Sequence, residues 1–136
     1  MELENPYLES MRYIDNAKEQ LKFAGKEDKF YKDEKYVKIA CGAAYSGILK
    51  ALDFYFNFKG VPKRRGRKSI IYYQSELSKL DKKLLNHLNS AYLVLHLDGY
   101  YSGLKKIDTI ESGFDAAVSI IAALKPLSKN GAKRKS

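Results

Sequence analysis

Residues 36–58 read YVKIACGAAYSGILKALDFYFNF and carry more apolar side chains than any other stretch of the chain. Apolar residues recur here at steps of three and four, which predicts one buried stripe on an α-helix. The stripe consists of Val37, Cys41, Ala44, Ile48, Leu52 and Tyr55. A second stripe beside it is made of small residues, Ala40, Ala43, Gly47 and Ala51. Since small side chains let a neighbouring helix come close, two buried stripes predict a central helix.

The chain has 136 residues, which is the size of one ordinary domain with a real core. We expect a single helical domain over 1–126 and a basic, disordered tail over 127–136. No run of 18 apolar residues occurs, and the first ten residues are acidic and polar, so we expect no membrane-spanning helix and no signal peptide. The expected location is therefore the cytoplasm.

Helical periodicity and capping residues predict helices at about 5–24, 36–58, 69–80, 81–97 and 109–124. Ser69 and Asp81 are both potential N-caps, which favours a break in 69–97, although the pattern also fits one long helix. Residues 98–103 are expected to form a turn-rich connection, and no alternating strand pattern is found. The predicted fold is an all-α, up-and-down four-helix bundle with an additional short helix.

The net charge of +9 is concentrated in two segments, residues 59–68 (KGVPKRRGRK) and 125–136 (KPLSKNGAKRKS). These segments hold eleven of the 25 basic residues and no acidic residue. The rest of the chain has 14 basic and 16 acidic residues and is therefore slightly acidic. Phosphate binding, where it occurs, is therefore expected on a loop or a tail rather than on the bundle itself.

Few residues point to catalysis or metal binding. His87 and His96 are nine positions apart, which places them on opposite sides of one α-helix. No zinc-binding, phosphate-loop or nucleophile-elbow motif occurs in the sequence. The single cysteine, Cys41, lies on the apolar stripe and is expected to be buried. We therefore expect no metal, no cofactor and no catalytic residues.

Four stretches carry a resemblance to known proteins: NPYLESMRYIDNAKEQLKFAG, KYVKIACGAAYSGILKALDFY, KLDKKLLNHLNSAYLVLHLDGYYSG and GFDAAVSII. They resemble a small bacterial family of unknown function, which is similar to the HEPN superfamily of helical bundles (named for higher eukaryotes and prokaryotes nucleotide-binding). The resemblance implies a dimeric bundle. Many HEPN proteins are ribonucleases or toxins, marked by an Arg-x4-6-His motif that acts across two protomers.

The sequence lacks the HEPN motif at the positions where its catalytic arginine and histidine would be. The residues five to seven positions before His96 are Ala91, Ser90 and Asn89, and the nearest approach elsewhere is Lys82-x4-His87. Lysine lacks the guanidinium fork that holds a phosphate from two sides. The stretch from His96 to Tyr101 resembles a HEPN loop region, which implies a polar site. Its residues would be His96, Asp98, Tyr100 and Tyr101.

Three functions remain open. The favoured one is a non-enzymatic bundle that forms a homodimer and binds a protein partner. The alternative is an RNA-binding or nucleotide-binding module that uses the basic 59–68 loop with aromatic stacking. Its residues would be Arg64, Arg65, Arg67 and Lys68, with Tyr72 or Tyr73. The third is a HEPN-type ribonuclease or toxin, which the missing motif disfavours.

Overall fold

A computed structural model describes residues 5–128 of the chain. The described residues form five α-helices: α1 (Pro6–Lys22), α2 (Glu34–Phe58), α3 (Ile70–Leu80), α4 (Lys82–Ala91) and α5 (Ile107–Ala122). Helix α4 continues directly into a π-helical segment, Tyr92–Tyr101, and a last helical turn covers 124–128. The prediction of an all-α bundle is confirmed. Residues 129–136, most of the predicted tail, lie outside the described part.

Helix α2 is the centre of the bundle, as its two stripes predicted. It packs against α1, α5 and the π-helical segment. All residues of the two stripes are buried except Ala43, which is only partly buried. A Cβ added at Gly47 would lie only 2.6 Å from the Tyr13 Cβ of α1, so glycine permits the close approach of these two helices. The small-residue stripe is therefore used within the chain.

Helix boundaries follow the local capping chemistry. The Asn5 side chain accepts from the Leu8 N–H at the start of α1, and the Ser69 side chain accepts from the Tyr72 N–H at the start of α3. Asp81 has extended backbone angles (φ −162°, ψ 103°), and its carboxylate accepts from the Leu84 N–H. Residues 70–91 are thus two helices separated at Asp81, which settles the alternative left open above.

The linker between α1 and α2 contains a small hairpin, which sequence periodicity did not predict. Strands β1 (Lys26–Glu27) and β2 (Phe30–Tyr31) pair in antiparallel fashion around Asp28, whose φ is +62°. Two-residue strands are too short to show an alternating pattern. Tyr31 is buried while Phe30 is half exposed, so of these two rings only Tyr31 packs into the core.

The second correction concerns residues 92–101. An α-helix ending at Leu97, followed by turns, was expected, but the chain stays helical to Tyr101 with the wider π-helical winding. A π-helix bonds residue i to i+5 and is a rare form that occurs often at functional sites. The last helix also begins two residues earlier than expected, because the Ile107 N–H donates to the Lys29 carbonyl of the hairpin at 3.0 Å.

Candidate functional site

An aromatic cluster surrounds His96 on the π-helical segment. The ring of Tyr45, contributed by α2, stacks on it at 4.7 Å between centroids, and Tyr92 stacks at 5.3 Å. Tyr100 lies parallel at 6.0 Å, while Tyr101 meets the imidazole edge-on at 4.9 Å. The partly buried imidazole is therefore in contact with four tyrosine rings, three of which are on its own segment.

The π-helical winding explains how one segment places so many rings together. With more residues per turn than an α-helix, positions four and five apart both lie near His96. Glycines then bring the segment close to α2: a Cβ at Gly42 would lie 2.9 Å from the Tyr100 ring. We call the exposed side of this cluster the aromatic face, formed by Tyr92, His96, Tyr100 and Tyr101.

Burial makes the aromatic face uncharged near neutral pH. It lowers the pKa of His96 below its ordinary value of 6.5, because the charged imidazolium loses hydration there. The same loss of hydration raises the pKa of Tyr45 to about 12. At the rim, Tyr100 is 46% exposed and Tyr101 is 64% exposed. The face therefore presents aromatic surface without formal charge.

Three of the four residues predicted for the polar site come together. His96, Tyr100 and Tyr101 are in mutual ring contact. Asp98 is two positions from His96 and so points to another side of the helical segment. Its backbone carbonyl accepts from the Leu104 N–H at 2.8 Å and helps to end the segment.

A second feature is a cleft of about 320 Å³ between the C-terminal half of α2, the 59–69 loop and the start of α3. The charged side chains on its wall are Lys50, Asp53, Lys63, Arg64 and Lys68, and its aromatic side chains are Phe54, Phe56 and Tyr72. We call it the basic cleft. Arg64 and Lys68 belong to the predicted basic set, whereas Arg65 and Arg67 are exposed on the loop outside the cleft lining.

One wall of the basic cleft is held by a hydrogen-bonded network. A single Asp53 carboxylate oxygen accepts from the Lys68 ammonium at 3.0 Å and from the Tyr73 hydroxyl at 3.0 Å. Burial, with the Asp53 charge as a further cause, raises the pKa of Tyr73. The network ties the end of the basic loop and α3 to α2.

The stacking role predicted for Tyr73 is wrong. Its side chain is 3% exposed, and its ring stacks on Phe56 at 5.9 Å between centroids. A ring enclosed in the core offers no face to a base. Tyr72 is only partly buried and lines the cleft, so it is the tyrosine of this pair that a ligand could reach.

Two charged groups lie over aromatic rings beside the cleft. The Arg64 guanidinium carbon is 5.2 Å from the centroid of Tyr72, and the Lys50 ammonium is 5.5 Å from that of Phe54. Cation–π contacts of this kind hold a cation near the ring face. The cleft therefore combines positive charge with reachable aromatic surface.

Sequence reasoning missed Tyr45, which stacks on His96 behind the aromatic face, and Lys50, Asp53 and Phe54 at the basic cleft. All four lie on α2 and are spaced as ordinary helix residues, so only their tertiary neighbours reveal a role. A signal was present for Asp53, since an acid opposite a basic loop is a natural ion-pair partner.

Within residues 5–128, no group of three or more His, Cys, Asp or Glu side chains is placed so that it could hold a metal ion. None of the helices in this part of the chain is long and apolar enough to cross a membrane. His87 lies apart from the aromatic face, in shallow grooves between α4 and α5.

Comparison with known proteins identifies the family of this chain. Residues 5–125 match the family described as a domain of unknown function (DUF5618). The chain is also similar to the structure of a protein of unknown function from Dyadobacter fermentans, with 41% sequence identity and a TM-score of 0.78. That match covers 89% of this chain and 93% of the other. A search of curated proteins finds no match. The extent of the family match shows that the chain belongs to the DUF5618 family.

Proposed function

We propose that this protein is a non-enzymatic helical module that forms a homodimer through its aromatic face and binds a protein partner in that form. The observation that carries the proposal is the exposure of Tyr100 and Tyr101 around the desolvated, uncharged His96. Tyrosine is among the residues most enriched at protein interfaces and among binding hot spots.

Charge supports a second copy at this face. Two chains of net charge +9 repel each other, so contact is favoured where neither copy presents a formal charge. Ile39 of α2 is 45% exposed and lies one turn before Gly42, over which the Tyr100 ring packs. Ile39 therefore adds exposed apolar surface on the helix that carries Gly42. In a two-fold dimer the same patch serves both partners.

The small-residue stripe of α2 does not contribute to the proposed interface. Gly47 packs against Tyr13 of the same chain, and Ala40 and Ala51 are buried, so these positions are occupied within the monomer. The proposal depends on the aromatic face.

The ribonuclease alternative gains no support from the surroundings of His96. The motif places an arginine beside the histidine, whereas the four ring contacts of this imidazole are all with tyrosines. HEPN likeness and the cytoplasmic location stay predictions.

Sedimentation equilibrium over a series of protein concentrations tests the proposal. We expect the wild-type chain to dimerise and Tyr101→Ser to shift it towards monomer, by roughly 2 kcal/mol if this ring is a hot spot. Ile71→Ser is the matched control, since Ile71 is 70% exposed and lies on α3. A wild-type chain that stays monomeric at the highest concentration, or equal weakening by both variants, would overturn the proposal.

A further inference from the structure

The basic cleft shares no lining residue with the aromatic face, so a ligand of the cleft is a proposal separate from the proposed dimer. Its volume of about 320 Å³ is near the lower end of the range of small-molecule sites, roughly 300–1,000 Å³. The cleft is formed by two helices and a loop, with its aromatic wall anchored in the core through Phe56. Its shape therefore suits a ligand of limited size.

The charges of the cleft favour an anion. Four cationic side chains, Lys50, Lys63, Arg64 and Lys68, face one carboxylate, that of Asp53. Asp53 is already held by Lys68 and the Tyr73 hydroxyl. Lys50 and Arg64 instead have aromatic rings as neighbours, and these contacts leave their N–H donors available to a phosphate.

The aromatic wall distinguishes this cleft from a simple anion site. Tyr72 is fixed by edge-on contacts with Phe56 at 5.8 Å and with Tyr73 at 5.3 Å. Arg64 covers its ring at 5.2 Å. Because Arg64 is exposed, it can move aside at small cost and let a flat base take its place against Tyr72. The displaced guanidinium then stays within reach of the phosphate joined to that base.

We propose that the basic cleft binds a nucleotide, with the base against Tyr72 and the phosphate contacted by Arg64 and Lys50. The nucleotide is either free or part of a single-stranded RNA, since both present one base and one phosphate to the cleft. An acidic peptide would satisfy the cations but would leave the aromatic wall without a flat partner.

Titration calorimetry on the full chain tests the proposal with three probes: AMP, a short single-stranded RNA and inorganic phosphate. We expect AMP or the RNA to bind more tightly than phosphate, and binding to weaken as salt rises. If AMP and the RNA bind with comparable affinity, a free nucleotide is sufficient as the ligand. If only the RNA binds, the cleft recognises a nucleotide within a strand. The proposal is overturned if neither binds or if phosphate binds as tightly as both.

Matched variants locate the binding. Tyr72→Leu should weaken nucleotide binding about tenfold, while Tyr72→Phe, which keeps the ring, should bind like the wild type. Arg64→Gln should weaken binding more than Arg67→Gln, which removes the same charge from the same loop outside the cleft lining. Equal losses from the two arginine variants, or unchanged binding by Tyr72→Leu, would contradict the proposal. Circular dichroism confirms that each variant is folded, and a monomeric Tyr101→Ser chain should still bind.

Discussion

Gly99 of the π-helical segment lies directly against the side chain of Cys41 in α2. A Cβ built on Gly99 would be 2.8 Å from the Cys41 Cβ, closer than real Cβ atoms approach their neighbours. The Cys41 sulfur is nearer still. The π-helical segment can therefore pack on the central helix only because residue 99 has no side chain. The position of the aromatic face depends on this packing.

Gly99→Ala should destabilise the protein by about 1–3 kcal/mol, because the added methyl group overpacks a filled contact. Chemical denaturation measures the loss. In a Cys41→Ala background the same change should cost less, since the sulfur overlap is gone while the Cβ overlap remains. An equal cost in both backgrounds would show that the two residues do not interact.

Gly47→Ala should cost about 1–3 kcal/mol, because its new methyl group meets the Tyr13 Cβ, which moves only with the α1 backbone. Gly42→Ala is the matched control on the same helix. There the obstacle is the ring of the exposed Tyr100, which can rotate away, and alanine gains about 1 kcal/mol of helix propensity. Thermal or denaturant unfolding should therefore separate the two variants, and equal losses would contradict this account.

The Cys41 thiol should be unreactive in the folded protein. It has no exposed surface, and burial raises its pKa to about 12, so very little thiolate exists near neutral pH. Labelling with a disulfide reagent should be slow in buffer and fast in denaturant. Rapid labelling of the native chain would show that the contact with Gly99 opens readily.

Protein stability should fall as the pH drops below the ordinary pKa of His96. Its pKa is lowered in the folded state, so the unfolded chain binds the proton more readily. The stability contribution of neutral His96 is thus present above 6.5 and is lost as the pH falls through the folded-state pKa. Unfolding curves between about pH 8 and about pH 5 cover the range in which histidine titrates.

His96→Phe keeps an aromatic ring but cannot titrate, so its stability should depend less on pH than that of the wild type. His87→Gln removes the other histidine and serves as the control. Identical pH profiles for the wild type and His96→Phe would refute the assigned burial of the imidazole.

Asp81→Ala should destabilise the protein by about 1 kcal/mol, because the carboxylate accepts from the Leu84 N–H at the start of α4. Asp81→Asn keeps an acceptor and should cost much less. Thermal unfolding of both variants measures the difference. A similar loss in both would mean that the charge, rather than the cap, matters at this position.

Much of the secondary structure was predictable because it depends on residues close in sequence. The caps at Ser69 and Asp81 and the apolar stripe of α2 are local patterns, and the structure confirms them. The hairpin at Lys26–Tyr31 was missed because its strands are too short for a pattern. The π-helical winding of Tyr92–Tyr101 was missed because its apolar residues also fit an α-helix.

The candidate sites depended on contacts between distant residues. Sequence could name His96 and Arg64, but only packing brought Tyr45 onto the imidazole and set Asp53 between Lys68 and Tyr73. Packing also leaves the ring of Tyr72 accessible to a ligand and buries that of Tyr73, although the two residues are adjacent and chemically identical. By itself the sequence determined the α-helices, their caps and the central place of α2. Hydrogen bonds between residues within one helical turn set the caps, and hydrophobic periodicity sets the buried faces. The tertiary structure alone decided which side chains are exposed together, because exposure depends on the surfaces that other helices cover.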